Sequence, residues 1–312
     1  MTKEKTVEIA CKIETLADLK DLDHLQCAYQ AKNDFTDFFR SLYEESLQFL
    51  PHRNIHRIYY GSEFCEFRIP AISECKAVLQ KANQKKLPVT FLTPPVTQTG
   101  IEHIKALLPI LEAHSCEISV NDYGVLQLLH DHHYHGNIIC GRILDKLYHD
   151  GRMNRFAFSQ YTNEMGYQYL RSPAVSAPSF QEALKKYHVT RYDIDLPQYG
   201  LHLPENQNNI SYSTFLPYGY ITTGRICMMR NYQKDQFDGF DLTKNTCHKV
   251  CRQYDQLLYQ PVGTIQMNSN HIRNRSVSIM RKGNTLFYGC TDIIPEELQQ
   301  FDRIILQPKL ML

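Results

Sequence analysis

The sequence predicts an α/β protein that folds as a TIM-like (β/α)8 barrel and carries a β-hairpin near its C-terminal end. Three observations lead to this fold class. Short β-rich segments alternate with amphipathic helical segments, which is the pattern of a parallel sheet. The chain has 312 residues, a length that suits a barrel of roughly 250 residues with insertions. A last β-rich segment, residues 303–306 (RIIL), could be the eighth parallel strand that closes the barrel.

The first half of the chain follows the strand–helix pattern closely. The helix predicted at residues 71–84, for example, carries Cys75, Val78 and Leu79 on one apolar face. No G-x-G-x-x-G follows the first strand and no G-x-x-x-x-G-K-[ST] is present. The chain therefore lacks the sequence motifs of nucleotide-binding open sheets. We therefore favour a barrel over an open sheet. The strands predicted in this half are residues 7–13, 57–61, 88–93, 116–120 and 137–140.

The second half is less regular, so the barrel is expected to be distorted there. Residues 151–180 are rich in Tyr, Asn, Ser and Pro and are expected to form a long connection with some local structure. Strands are predicted at residues 192–196 (YDIDL) and 212–216 (YSTFL), and each runs into a Leu-Pro turn.

We predict one domain over residues 1–312, since the chain shows no solenoid repeat and no low-complexity linker. Two elaborations are expected within it. One is a cysteine-bearing insertion at about residues 220–260, and the other is a β-hairpin at about residues 276–290. The Gly283-Asn284 pair in the second segment is a strong short-range turn signal.

Composition narrows the function classes. The chain has 34 Lys and Arg against 33 Asp and Glu, a formal charge of +1, which argues against nucleic-acid binding by bulk charge. No apolar run approaches the ~20 residues needed to span a membrane. The first residues look like a β-strand and not an export signal, so the cytoplasm is the expected location. In that reducing compartment disulphides are rare, and the ten cysteines need another explanation.

Four cysteines are candidates for one metal site. Cys247 and Cys251 form a C-x3-C pair, which a helix would place one turn apart on one face. Cys227 and Cys65 each follow a predicted strand, and segments that follow the strands of a parallel barrel emerge at the same face. Four converging thiolates would hold either zinc or an iron–sulphur cluster. The plain alternative is that these are ordinary core cysteines, as expected for the strand and helix residues Cys11, Cys75 and Cys140.

Several segments resemble peptidase family U-32, the collagenase-like putative proteases. LPYGYITTGRICMMR, followed by the C-x3-C pair, is similar to the region around the cluster ligands of that family. IYYGSEFCEFR is similar to the strand-and-cysteine motif of its short members that act in oxygen-independent ubiquinone hydroxylation. ISVNDYG and GRILDKLYHDGRM also match family segments, the latter with Gly151 where proline is usual. The resemblance covers roughly residues 55–310.

The resemblance implies a TIM-like barrel that holds a [4Fe–4S] cluster, with zinc as the alternative metal. It also implies oxygen-independent hydroxylation of a small aromatic substrate or a nucleobase, with prephenate as the oxygen donor. Some short members act as heterodimers, so a second family member is an expected partner. The longer members that modify RNA carry further domains not seen here, which argues against an RNA substrate. The ligands carried over from the family are Cys65, Cys227, Cys247 and Cys251.

Five residues that follow predicted strands are candidates for substrate binding: Asn121, Asp122, Arg142, Tyr218 and Arg225. The two Asx residues could hydrogen-bond substrate, or could simply cap the next helix. The two arginines could clamp the carboxylates of a donor, or could form structural salt bridges. The tyrosine could stack on an aromatic ring, although ordinary packing is the commoner role.

Two other functions stay open. The family name suggests a peptidase, but no G-x-S-x-G and no zinc-protease motif is present, and a thiolate bound to a cluster cannot attack a peptide. The chain could also be a non-catalytic iron–sulphur partner of another barrel. The sequence does not identify a catalytic acid or base.

Overall fold

The structure is a computed structural model of the 312-residue chain. The residues it describes are 7–20, 22, 25–29, 34–150, 162–203, 210–231, 247–259, 278–290 and 293–312.

Eight parallel strands form a closed barrel, which confirms the predicted fold class. The strand predicted to close the barrel lies between the first strand and the seventh and pairs in parallel with both. The barrel strands, in chain order, are β1 (Glu8–Ile13), β2 (Arg57–Gly61), β3 (Val89–Thr93), β4 (Glu117–Val120), β5 (Ile138–Cys140), β6 (Val189–Ile194), β7 (Ser211–Leu216) and β12 (Arg303–Leu306).

The longer helices of the described residues cover the outside of the barrel and bury one apolar face each, whereas the short helix Glu164–Leu170 buries no residue. In the helix that follows β2, the buried side chains are Cys75, Val78, Leu79 and Ala82, the spacing expected of a single stripe. The helices are α1 (Asp34–Leu47), α2 (Ile72–Gln84), α3 (Gln98–Ala113), α4 (Tyr123–Asp131), α5 (Glu164–Leu170), α6 (Pro178–Lys185) and α7 (Pro295–Leu298).

The barrel interior alternates apolar and charged layers along the strands. On β1, Ile9 and Cys11 face the helices, while Ala10 and Lys12 face inwards. An apolar layer fills the middle of the barrel; it consists of Ala10, Tyr59, Leu92, Phe215 and Ile305. Charged side chains occupy the layers on either side of it. The barrel is therefore a packed core without a channel, as its size requires.

A second, antiparallel sheet is inserted between the seventh and eighth barrel strands. Its first strand follows β7 after a single residue, Pro217, so the chain leaves the barrel at the carboxyl end of β7. The β10–β11 pair is a hairpin whose turn includes Gly283, at a φ of +57°. In sheet order the strands are β8 (Tyr218–Thr223), β11 (Thr285–Gly289), β10 (Ile279–Lys282) and β9 (Gln256–Tyr259).

The inserted sheet encloses a second apolar core with α1 and the loop after β2. Phe287 of this sheet meets Phe64 of that loop edge to face, with ring centroids 5.3 Å apart. The amide of Asn284 in the hairpin turn donates hydrogen bonds to the carbonyls of Phe64, at 2.7 Å, and Gly224, at 2.6 Å. The hairpin is thereby fastened to the loop that carries Cys65. Within the described part of the chain, no helix is both long enough and apolar enough to cross a membrane.

Candidate metal centre and adjoining cleft

The four candidate cysteines come together at the carboxyl end of the barrel, at the edge of the second core. Cys65 lies in the loop after β2, Cys227 follows β8, and Cys247 and Cys251 precede β9. Burial raises the pKa of the Cys65 thiol to about 12, and each of the other three thiols contributes to that rise. Because such an effect acts only over short distances, the four sulphurs lie near one another.

Backbone N–H groups are directed at two of these sulphurs. The N–H of Phe67 bonds to the sulphur of Cys65 and lowers its pKa, opposing the effect of burial. The N–H groups of Met229 and Arg230 act in the same way on Cys227, whose pKa burial nevertheless raises to about 11. Such N–H···S bonds favour the thiolate form and are among the contacts that tune cluster potentials.

Cations flank the most buried of the four thiols. Burial raises the pKa of Cys251, while the nearby charges of Arg68 and Lys282 lower it. Arg68 is paired with Glu14 at 2.5 Å, and Lys282 is paired with Asp255 at 2.6 Å, so both cations are held in place. A site of several thiolates carries excess negative charge, and these two cations partly offset it.

The C-x3-C segment is not the helix that the sequence analysis considered. Lys249 adopts a left-handed conformation with a φ of 54°, and only Val250–Arg252 forms a single 3-10 turn. The left-handed residue reverses the chain between the two cysteines. Cys247 nevertheless raises the pKa of Cys251, so the two thiols are neighbours through a turn and not through helical spacing.

The donors fit a thiolate-bound metal by their chemistry. They are four thiols, two of them with N–H···S bonds, beside two cations and at the edge of an apolar core. Among the described residues, no three His, Cys, Asp or Glu side chains stand at the spacing of a bound ion. The support is therefore the proximity and nature of the donors. Cys11, Cys75 and Cys140 are fully buried elsewhere, as predicted.

A cleft of about 400 Å³ adjoins this centre, and Cys65 is part of its wall. Its other walls come from the segments that follow β3 and β5, from β8, and from the hairpin turn. These segments all start at the carboxyl ends of barrel strands, where (β/α)8 enzymes bind their substrates. Aromatic rings and two cations, Lys146 and Arg225, line the cleft beside the imidazole of His149.

A buried charge network forms the layer of the barrel interior nearest to the cleft. Arg142 donates to both carboxylate oxygens of Glu63, at 2.6 and 2.8 Å, and to Asp195 at 2.6 Å. Lys12 donates to Glu63 at 3.0 Å. All four side chains are at most 1% exposed, and their two positive and two negative charges cancel. The network joins β1 to the loops after β2, β5 and β6.

The two Asx residues have structural partners. Asp122 caps α4, since its Oδ1 accepts from the backbone N–H groups of Gly124, at 2.7 Å, and Val125, at 3.2 Å. Asn121 is 2% exposed and links two loops, donating to the carbonyl of Thr93 and accepting from the N–H of Ile143. These contacts favour the capping alternative for Asp122, and neither residue lines the cleft.

The other three substrate candidates lie in different surroundings. Arg142 is enclosed in the buried network, which favours the structural salt bridge over a clamp for a donor. Tyr218 is fully buried and packs near Phe39, with ring centroids 6.1 Å apart. Arg225 is exposed at the cleft, where it donates to the carbonyl of Val96 at 3.0 Å. Arg225 alone of the five lines the cleft.

The sequence analysis did not identify three groups that line the cleft. Lys146 and His149 lie in the segment after β5, and Tyr220 lies on β8, two residues beyond Tyr218. Because Tyr218 and Tyr220 are two residues apart on β8, they lie on the same face of the strand, and strand alternation does not distinguish them. Lys146 and His149 lie within the segment GRILDKLYHDGRM described above, but neither stands at a spacing that marks a binding role.

The fold and site define a closed (β/α)8 barrel with a thiol-rich centre beside a cleft at its carboxyl end. No protein-family model matches the chain, and no curated protein matches it. Among solved structures, it is similar to that of the U32 peptidase Mk0906, with a TM-score of 0.42 and 11% sequence identity. The similarity covers 98% of this chain and 94% of the other.

Proposed function

We propose that this chain is an iron–sulphur protein of peptidase family U-32 and that Cys65, Cys227, Cys247 and Cys251 hold a [4Fe–4S] cluster. The observation that carries the proposal is the proximity of these four thiols to one another, with Cys65 in the wall of the cleft. Burial raises the pKa values of Cys65, Cys227 and Cys251, and a bound metal would deprotonate its thiol ligands and compensate their charge. The sequence motifs described above support the choice of cluster over zinc.

The reaction we propose is oxygen-independent hydroxylation of a small aromatic substrate or a nucleobase, with a prephenate-like oxygen donor. A bound cluster would supply one-electron redox chemistry at the wall of the cleft. The protein's own residues would bind and orient the substrate there. Arg225 and Lys146 offer positive charge to a carboxylate, and Tyr220 offers an aromatic face.

No observation favours the peptidase alternative. Cys65 is the cysteine in the cleft wall, and burial raises its pKa to about 12, so without a metal it is protonated at neutral pH. Among the described residues, no histidine is hydrogen-bonded to its sulphur, whereas a cysteine nucleophile needs a neighbouring base. The non-catalytic partner subunit would differ from the enzyme only in lacking turnover. Both alternatives include a second family member as the partner.

The test is anaerobic purification with iron, sulphide and zinc analysis of the wild type and of single Cys→Ser variants. We expect a brown protein with about four iron and four sulphide per chain, as a [4Fe–4S] cluster requires. Each of the four ligand substitutions should remove most of the visible absorption. Cys27→Ser is the matched control, because Cys27 is half-buried like Cys65 but its thiol donates to the carbonyl of Pro308 and, among the described residues, belongs to no group of cysteines.

Three results would each decide between the alternatives. A colourless wild type with one zinc per chain would replace the cluster by a structural metal. A brown protein whose colour survives Cys65→Ser would remove Cys65 from the ligand set and separate the centre from the cleft. Cleavage of casein by metal-free protein, abolished in Cys65→Ser, would favour the peptidase.

A further inference from the structure

His149 is a buried polar side chain without a partner. Its side chain is 6% exposed, and neither ring nitrogen has a hydrogen-bond partner among the residues the structure describes. The nearest polar group is the Oδ2 of Asp195, 4.0 Å from Nδ1, which is too far for a hydrogen bond. A buried group left unsatisfied in this way is costly, so it calls for an explanation in function.

The surroundings keep this imidazole neutral. Burial, together with the nearby charges of Arg142 and Lys146, lowers the pKa of His149 to about 3. A neutral imidazole offers one donor and one acceptor. The ring lies against Tyr220, with centroids 4.5 Å apart, which fixes its plane. His149 thus offers the cleft two oriented hydrogen-bonding atoms and no charge.

The charged side chains that line the cleft are mostly cationic. Among the described residues, Lys146 and Arg225 are its cations. Glu66, the carboxylate in that described lining, is already bonded to the backbone N–H and hydroxyl of Thr97, at 2.8 and 2.9 Å. Aromatic rings, among them Phe64 and Tyr220, form the rest of the wall. Among the described residues, the lining therefore combines flat apolar surfaces, positive charge and the unpartnered imidazole of His149.

We propose that the cleft binds a small anion with a flat unsaturated ring, and that His149 fixes its orientation by hydrogen-bonding to a hydroxyl or carbonyl group on that ring. The anionic group lies towards Lys146 and Arg225, and the ring lies against the aromatic wall. This inference takes from the proposed function only that the cleft is the substrate site. It does not depend on the cluster.

A structural role for His149 makes a different prediction. If the imidazole stabilised the fold through Asp195, replacing it by a ring of similar shape would destabilise the free protein. If its ring nitrogens form hydrogen bonds only with a bound ligand, His149→Phe removes two unsatisfied polar atoms from the free protein and keeps the contact with Tyr220. The free variant should then be at least as stable as the wild type. The thermal midpoint of the ligand-free variant measures this difference.

The binding test is calorimetry on the full-length protein with three probes: 3-hydroxybenzoate, benzoate and 3-hydroxybenzamide. Wild type should bind 3-hydroxybenzoate about 3- to 10-fold more tightly than benzoate, the value of one net hydrogen bond. In His149→Phe that ratio should fall to about one, with benzoate unaffected. Arg225→Gln should instead reduce the preference for the carboxylate over the amide. His130→Phe is the control, since His130 is an exposed histidine that meets the ring of Tyr187 edge to face.

Failure to bind any probe, or a hydroxyl preference that persists in His149→Phe, would overturn the inference. Loss of thermal stability in that variant would assign His149 to the fold. The outcomes are separable from those of the cluster test. A colourless protein that still shows the hydroxyl preference refutes only the cluster, whereas a brown protein without probe binding refutes only the cleft.

Discussion

Replacing Arg142 by methionine should destabilise the protein strongly, because it removes the cation shared by two buried carboxylates. Glu63 would keep Lys12 at 3.0 Å, but Asp195 would lose the guanidinium 2.6 Å away while staying fully buried. Removing one partner of a buried ion pair typically costs about 3–5 kcal/mol. The guanidinium also lies 3.9 Å from the centroid of Phe215, and this contact is lost as well. We expect a loss in that range.

The pH dependence of this loss provides an independent check. Without its cation, the pKa of Asp195, which burial already raises, should rise further. A carboxyl group with a raised folded-state pKa contributes stability below its unfolded pKa and loses it as pH rises through the folded pKa. The deficit of Arg142→Met relative to wild type should therefore be larger at pH 8 than at pH 5.

Equilibrium urea denaturation followed by circular dichroism measures both effects. The control is Lys185→Gln, which breaks a pair with Glu182 whose side chains are 69% and 70% exposed. An exposed pair is worth at most about 0.5 kcal/mol on a helix, so the control should barely change the urea midpoint. A loss in Arg142→Met below about 1 kcal/mol, or one that is equal at both pH values, would refute the account of the network.

Two further substitutions test buried and capping carboxyl groups. Burial raises the pKa of Asp145 to about 7, so wild-type stability should fall as pH rises from about 4 to about 7. Asp145→Asn should flatten that fall in thermal midpoints taken at pH 5 and pH 8; an unchanged slope would contradict the assignment. Asp122→Ala should cost about 1 kcal/mol through loss of the α4 cap, while Asp122→Ser keeps most of it. If alanine leaves the urea midpoint unchanged but weakens probe binding, Asp122 contacts substrate instead.

The barrel itself could be predicted because its outer face obeys simple periodicity. Ile9 and Cys11 on β1, and the stripe on α2, bury one side of each element and produce a readable pattern. The convergence of Cys65 with the later cysteines followed from topology, because all segments after parallel strands emerge at one end. The direction of the strands alone was sufficient to predict that these cysteines lie at the same end of the barrel.

The residues of the barrel interior and of the cleft could not be predicted from sequence periodicity or strand direction. Lys12, Glu63 and Asp195 are charged residues that look solvent-exposed in sequence. They are buried because, together with Arg142, their charges cancel across the barrel. Such compensation depends on three-dimensional neighbours, and no local pattern encodes it. The same holds for His149, a single histidine after β5 whose importance comes only from its isolation in the folded protein.

The position of the inserted sheet also governs the order in which the molecule can be completed during translation. β12, the strand between β1 and β7, leaves the ribosome after the whole inserted sheet. Until then the other seven strands can form only an open sheet, with the backbone of β1 and β7 unpaired at its two borders. The unpaired backbone groups of such edge strands can pair with strands of other chains. A nascent chain therefore remains prone to aggregation until its last barrel strand has been made.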